Sequence, residues 1–266
     1  MANKKAKIVV VALQKGGVGK SQTVLNLSTE FAGRGIKTLA LDLDPQASLT
    51  LMFNITRPEE LDYTIADVLL SFTKKERLEL KDCILNVKEN LDLAPSLIDL
   101  SISDLALAGV YGREFLLRKL LAPLLNEYEI ILIDCGPSLS LLPVNALACA
   151  TDVIIPCQTE YLAYRGLKLL ENTLEEVKNN MNEDLNIYGV IATKVQEQTK
   201  HAQELLELLK ENYNVIGVVP QSIKVSDALY SQEGAIVDYA PHSKPAIAYK
   251  QIADRMCEDM QLGKGK

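Results

Sequence analysis

Six apolar runs constrain this chain more than any other feature. They are "KIVVVAL" (Lys7 to Leu13), "KTLALDLD" (Lys37 to Asp44), "EIILIDCG" (Glu129 to Gly136), "TDVIIPCQ" (Thr151 to Gln158), "NIYGVIATK" (Asn186 to Lys194) and "YNVIGVVP" (Tyr213 to Pro220). Their apolar stretches run on without the alternation of a strand that has one wet face, so each reads as a strand buried on both sides. Helical periodicity separates them. "SQTVLNLSTEFAGRG" predicts a helix ending at Gly33 or Gly35, and further helices are expected over Tyr161 to Asn180 and His201 to Asn212. Strands that alternate with helices predict an α/β fold, a mostly parallel β-sheet covered by helices on both faces. Tryptophan is absent and aromatic residues make up only 5% of the chain, so the expected core is aliphatic. Arg57 to Gly109 departs from the rhythm, mixing charge with a short "LDLAP" strand, and reads as an elaboration of the same domain. With no repeats and no linker-like composition, residues 1–266 are expected to form a single domain.

Several classes of protein are excluded at this level. The five cysteines are scattered, odd in number and never spaced Cys-x-x-Cys, which fits neither a disulfide framework nor a cysteine metal site. The opening "MANKKAK" is followed by too short an apolar run for a signal peptide, and no run of about twenty apolar residues could span a membrane. A formal net charge of −7 argues against a globally basic nucleic-acid binder, leaving only a local patch.

The first strand runs into "LQKGGVGKSQT" (Leu13 to Thr23). A strand, a glycine-rich turn and a helix together present backbone N–H groups and a helix N-terminus to an anion, as in a P-loop NTPase. Gly16, Gly17 and Gly19 leave room for a phosphate, Lys20 puts an ammonium on the outer phosphates, and the Ser21 hydroxyl suits Mg²⁺. The usual pattern has glycine five residues before Gly19, where this chain has Gln14, and Lys15 stands beside it as a second lysine. Two acids, Asp42 and Asp44, end the second strand, on one face by alternation, and Pro45 stops it. A carboxylate there can orient an attacking water or hold water around Mg²⁺. Asp134 follows four apolar residues, the position of a Walker-B acid; buried without a partner it would be costly, so a cation or a donor is expected beside it.

The blocks "KGGVGKS", "DLDPQAS", "IDCGPSLS" and "PCQTEYLAYRGLKLL" resemble the ParA family of partition ATPases (Soj-like), which carries a deviant Walker A box. The C-terminal "VVPQSIKVSDALYSQEGAIVDYAPHSKPAIAYKQIADRM" also resembles the family, so the similarity spans nearly the whole chain. It implies ATP and Mg²⁺ as cofactors, with Lys15, Gly16, Gly17, Val18, Gly19, Lys20, Ser21, Gln22 and Asp134 holding nucleotide and Thr193, Pro220 and Gln221 toward its base. Ser21, Asp44 and Asp134 would serve the metal. The resemblance makes Lys15 the signature lysine that reaches the partner's nucleotide in an ATP-bound homodimer, and Asp44 the residue needed for hydrolysis; with Lys20 they form the catalytic set.

This chain departs from the family pattern in places. Ser21-Gln22 replaces the usual Thr-Thr, Gly136 replaces the first of two prolines, and Gln221 stands where arginine is usual. "ATKVQEQTK" lacks the acidic and arginine residues common at the base-side segment.

The resemblance further implies a cytoplasmic, nucleoid-associated ATPase that binds DNA without sequence preference and moves a plasmid, chromosome origin or other large cargo with a ParB-like adaptor. Lys224, Lys244, Lys250 and Arg255 are the candidate DNA contacts. The alternatives are a MinD-like membrane-associated ATPase, an ATPase that positions a protein organelle, and a metabolic or iron–sulfur relative. The membrane alternative needs a basic amphipathic last helix. The tail does have an apolar stripe (Ile247, Tyr249, Ile252, Met256, Met260), but Asp254, Glu258 and Asp259 on its polar side predict a helix packed on the core instead, with no membrane partner.

Overall fold

A computed structural model describes residues 5–138, 140–196, 198–231 and 233–263; Leu139, Glu197 and Gln232, which fall in the blocks quoted above, lie outside the described residues. Among the described residues eight strands form one sheet: β1 (Lys7–Val11), β2 (Thr38–Leu43), β3 (Leu85–Lys88), β4 (Leu91–Ala94), β5 (Ile130–Cys135), β6 (Asp152–Gln158), β7 (Asn186–Val195) and β8 (Val215–Pro220), in the order β3-β4-β2-β5-β1-β6-β7-β8. All the pairings are parallel except the β3–β4 hairpin.

The continuous apolar runs have their expected cause. Ile8 and Val10 of β1 join one core layer with Leu39, Leu41, Ile131 and Ile133, while Val9 and Val11 join the other with Ala40, Ile130 and Leu132. Successive side chains point to opposite faces, and both faces are covered. Helices Leu141–Cys149 and Tyr161–Asn180 lie on the first face; helices Lys20–Gly33 and Lys244–Met260 lie on the second. The helix read as Tyr161 to Asn180 has those bounds, and the one read from His201 starts one residue earlier, at Lys200.

The last helix buries Tyr249, Ile252, Met256 and Met260 in the core, whereas Ile247 points outward. A Cβ on Gly217 would collide with Ile252, so glycine in β8 is what lets this helix lie against the sheet. "LDLA" is a strand as expected, but its partner β3 was not legible. β3 is a four-residue edge strand, half-buried and exposed in alternation, joined to β4 through Asn90 at φ +60°.

Because the strands are parallel, the carboxyl ends of β1, β2 and β5 lie together at one edge, where ligands bind in such sheets. Register sets Val11 and Asp42 on either side of Asp134. The loops that leave these three strands therefore meet.

Candidate active site

Gly17 and Gly19 both take left-handed backbone, at φ +75° and +91°, and Gly19 caps the helix that begins at Lys20. No side chain caps that helix, and its first turn holds no acid. Its first N–H groups are thus left for an anion. A Cβ at Gly16 or Gly17 would meet nothing within 4 Å, so the loop opens outward there. On its other side the loop is tied down. Thr193 Oγ1 donates to the Val18 carbonyl (2.7 Å), and Lys194 Nζ and Gln158 Nε2 donate to the Gly17 carbonyl (2.6 and 3.1 Å). With these carbonyls taken by β6 and β7, the loop's shape is set by the sheet beneath it.

Lys20 is buried, and its ammonium donates to the Lys15 carbonyl at 3.0 Å. Burial lowers its pKa, opposed by the negative charges of Asp134 and Asp44. Asp134 is wholly buried, and neither of its carboxylate oxygens has a hydrogen-bond partner among the described residues. Burial first, then Asp42 alongside, pushes its carboxyl well above the usual carboxylate range; the nearby Ser21 hydroxyl and Lys20 ammonium pull the other way. Two orphaned acceptor oxygens next to a hydroxyl and a helix N-terminus fit a hard divalent cation. No cluster of three acids, histidines or cysteines exists for a metal among the described residues, so such an ion would take much of its coordination from phosphate and water.

Asp42 and Asp44, read from sequence as two acids of one kind, have separate environments. Asp42 is fully buried and accepts from the Thr50 N–H and hydroxyl, both at 2.8 Å, and from the Asp44 N–H at 3.2 Å. Burial nonetheless pushes its carboxyl up to about 6. Asp44 is half-buried, beyond the end of β2, and its Oδ1 accepts the Gln46 N–H at 3.0 Å. A Cβ on Gly136 would stand 3.4 Å from the Asp44 carboxylate, so the glycine leaves that side of Asp44 open.

The remaining candidates divide. Lys15 lies at the loop's mouth and donates to Glu160 at 2.7 Å. The Gln22 side chain turns toward helix Ser48–Met52, contacting Met52 Sδ at 3.7 Å and accepting from Asn26 at 3.2 Å. Pro220 ends β8, opposite Val195 of β7, and Gln221 accepts from Gln196 at 2.7 Å. Thr193 is buried under the loop, with its hydroxyl spent on Val18.

The four candidate DNA contacts do not gather. Lys224 opens helix Ile223–Tyr230, while the other three lie on the last helix. At about 100° per residue, Lys244 and Arg255 share an azimuth to within about 20°, and Lys250 lies about 120° round. Arg255 donates to Asn214 at 3.0 Å and pairs with Asp259 at 3.6 Å.

Sequence reasoning passed over Glu160, Gln158, Thr50 and Ser96. Glu160 and Gln158 lie within the quoted "PCQTEYLAYRGLKLL" block, which was the available signal; Thr50 and Ser96 carried none. Cys135, the cysteine nearest the acids, is buried with its thiol pushed well up by burial, as suits packing. No helix among the described residues is long and apolar enough to cross a membrane.

Residues 6–187 match a protein family described as "AAA domain". The sporulation initiation inhibitor protein Soj of Bacillus subtilis is 34% identical over 251 residues, covering 93% of this chain and 96% of Soj. Among solved structures, cobyrinic acid a,c-diamide synthase from Mycobacterium smegmatis with bound ADP and magnesium superposes with a TM-score of 0.82, at 31% identity over 96% of both chains. A putative plasmid partition protein from Borrelia burgdorferi B31 bound to AMPPNP gives 0.81 at 28% identity, over 96% of this chain and 100% of that one.

Proposed function

The chain belongs to the AAA-domain family of Soj- and ParA-type partition ATPases, and from that premise we propose that it hydrolyses ATP as a Mg²⁺-dependent dimer that binds DNA without sequence preference. In this reading an adaptor of the ParB kind stimulates turnover, and the cycle positions a plasmid, a chromosome origin or another large cargo on the nucleoid. All of residues 1–266 serve this one activity.

The observation that carries the reading is Lys15. A phosphate loop needs one lysine for its own nucleotide, and Lys20 is placed for that, buried beside Asp134. Lys15, at the mouth of the same loop, is left to act across a dimer, where its charge offsets that of the departing phosphoryl group. The chain's own residues divide the remaining work. The N–H groups from Gly16 to Gly19 and the helix N-terminus bind phosphate oxygens, and Ser21 and Asp134 hold Mg²⁺. The ion supplies charge neutralisation on the phosphates. Asp44, half-exposed beside Gly136, accepts a hydrogen bond from the attacking water and orients it. Pro220, Gln221 and Thr193 frame the base end of the site.

A membrane-bound alternative of the MinD kind is weakened because four of the five residues of that apolar stripe, Tyr249, Ile252, Met256 and Met260, are buried in the core. The discriminating experiment measures DNA binding with ATP and with ADP. Phosphate contacts release counterions, with a log–log slope of roughly −0.9 per contact, and two joined protomers double the contacts. Binding is expected with ATP, weak with ADP, indifferent to sequence and steeply lost with salt. Changing both Lys244 and Lys250 to glutamate should remove it and leave ATP-dependent dimers. An Asp44→Ala dimer that ignores DNA at low salt yet pellets with anionic liposomes overturns the proposal in favour of the membrane reading.

A further inference from the structure

Asp44 leaves the end of β2 on a loop, yet its main chain is gripped on both sides. Its N–H donates to Asp42 Oδ1 at 3.2 Å, and its carbonyl accepts from Ser96 Oγ at 2.7 Å and from the Ala47 N–H at 2.9 Å. The two grips are joined behind it. Thr50 Oγ1 donates to Asp42 Oδ2 at 2.8 Å and accepts the Ser96 N–H at 2.9 Å. Asp42, Thr50 and Ser96 are each wholly buried.

This is a closed ring of hydrogen bonds with its proton directions fixed. The Thr50 hydroxyl gives its one proton and accepts one, Ser96 donates through both its hydroxyl and its N–H, and the Asp42 carboxylate receives three donors. Rings of this kind stiffen their members, because no bond can be remade to water. Ala47, three residues beyond Asp44, holds a left-handed backbone at φ +51°. A non-glycine residue keeps that conformation only where its surroundings over-determine it. The ring also spans distant segments: Thr50 comes from helix Ser48–Met52 and Ser96 from the turn after β4.

We propose that Thr50 and Ser96 are positioning residues for Asp44, fixing its main chain so that the carboxylate faces the water it orients. The proposal rests on the reading of Asp44 given above. It goes further by assigning a share of turnover to two residues that touch neither nucleotide nor water. Ser96 is the more telling of the two, because its hydroxyl reaches the Asp44 carbonyl itself.

Steady-state ATP turnover of the full chain, with DNA present, tests this alongside ATP affinity measured by titration calorimetry. Ser96→Ala and Thr50→Val should each lower kcat by about tenfold or more, as a slight misplacement of a catalytic group does, with ATP affinity kept within about twofold. Thr50→Ser, which retains the hydroxyl, should recover most of the loss. Added to Asp44→Ala, neither change should lower the residual rate further, since there is no carboxylate left to position. Ser96→Ala deletes one oxygen and decides the matter by itself should Thr50→Val fail to fold. If Asp44→Ala abolishes turnover while Ser96→Ala stays within twofold of the unaltered protein, the positioning proposal fails and the role of Asp44 stands. If Asp44→Ala turns over ATP at the unaltered rate, the reading of Asp44 fails and takes the positioning proposal with it.

Discussion

Lys15 and Glu160, 145 residues apart in sequence, are joined by an ion pair of 2.7 Å. Glu160 stands at the N-cap of helix Tyr161–Asn180, so the pair ties the mouth of the phosphate loop to the turn that follows the carboxyl end of β6. The lysine side chain is 24% exposed and the glutamate 61%, which makes this a surface pair worth about 0.2–1 kcal/mol. That is weak beside the attraction of a polyphosphate. A pair of that strength would leave Lys15 free to exchange Glu160 for phosphate, as the proposed role requires.

Glu160→Gln should release Lys15 at a cost no larger than that pair. The ATP concentration giving half-maximal dimer, followed by light scattering, is expected to fall by up to about fivefold, with ADP affinity unchanged. A rise would mean that Glu160 serves the dimer itself.

Lys20 and Lys15 should separate binding from dimerisation. Lys20→Ala removes the buried ammonium that feels Asp134 and Asp44, and is expected to abolish nucleotide affinity. Lys15→Ala should bind ATP nearly as well and yield neither ATP-dependent dimers nor turnover. Equal losses of affinity by calorimetry would refute the division of labour.

Gly136 has no left-handed backbone, so alanine is tolerated by the chain there. Gly136→Ala should raise stability by about 0.4–1 kcal/mol through the unfolded state, visible as a higher thermal midpoint. Its new Cβ would stand 3.4 Å from the Asp44 carboxylate, in the space a water needs. Turnover should fall several-fold while ATP affinity holds; a variant both more stable and fully active would show that this space is not used.

The thiols offer a test of burial. Cys83, Cys135, Cys149 and Cys157 are buried, and Cys257 is partly exposed. Burial pushes Cys83, Cys149 and Cys157 up to about 12, so at neutral pH they carry almost no thiolate. An aromatic disulfide reagent should label Cys257 alone in the native protein and all five thiols after denaturation. Rapid labelling of a second thiol would contradict the packing around the sheet.

Much of this molecule is written in local pattern. Unbroken apolar runs specify strands covered on both faces, and glycines 16, 17 and 19 before Lys20 specify a turn and helix N-terminus open to phosphate. "IILID" places an acid at a buried strand end, and the structure has Asp134 there near Ser21 and Lys20, with neither oxygen hydrogen-bonded among the described residues. The stripe of the last helix was legible as core, with Ile247 the exception because helical rotation puts it about 160° round from Tyr249, on the outward side.

Only the tertiary structure decided which of these parts touch. Strand order is not encoded in hydrophobic period, so nothing local sets Asp42 beside Asp134, closes Thr50 and Ser96 around Asp44, or brings Glu160 to Lys15. The same holds for Lys244, Lys250 and Arg255, near neighbours in sequence, where helical rotation sets Lys250 apart from the azimuth that Lys244 and Arg255 nearly share. Periodicity records how each segment meets water, a property of the segment alone. Hydrogen bonds between loops depend on which strand ends are neighbours, and the pairing of the whole sheet settles that.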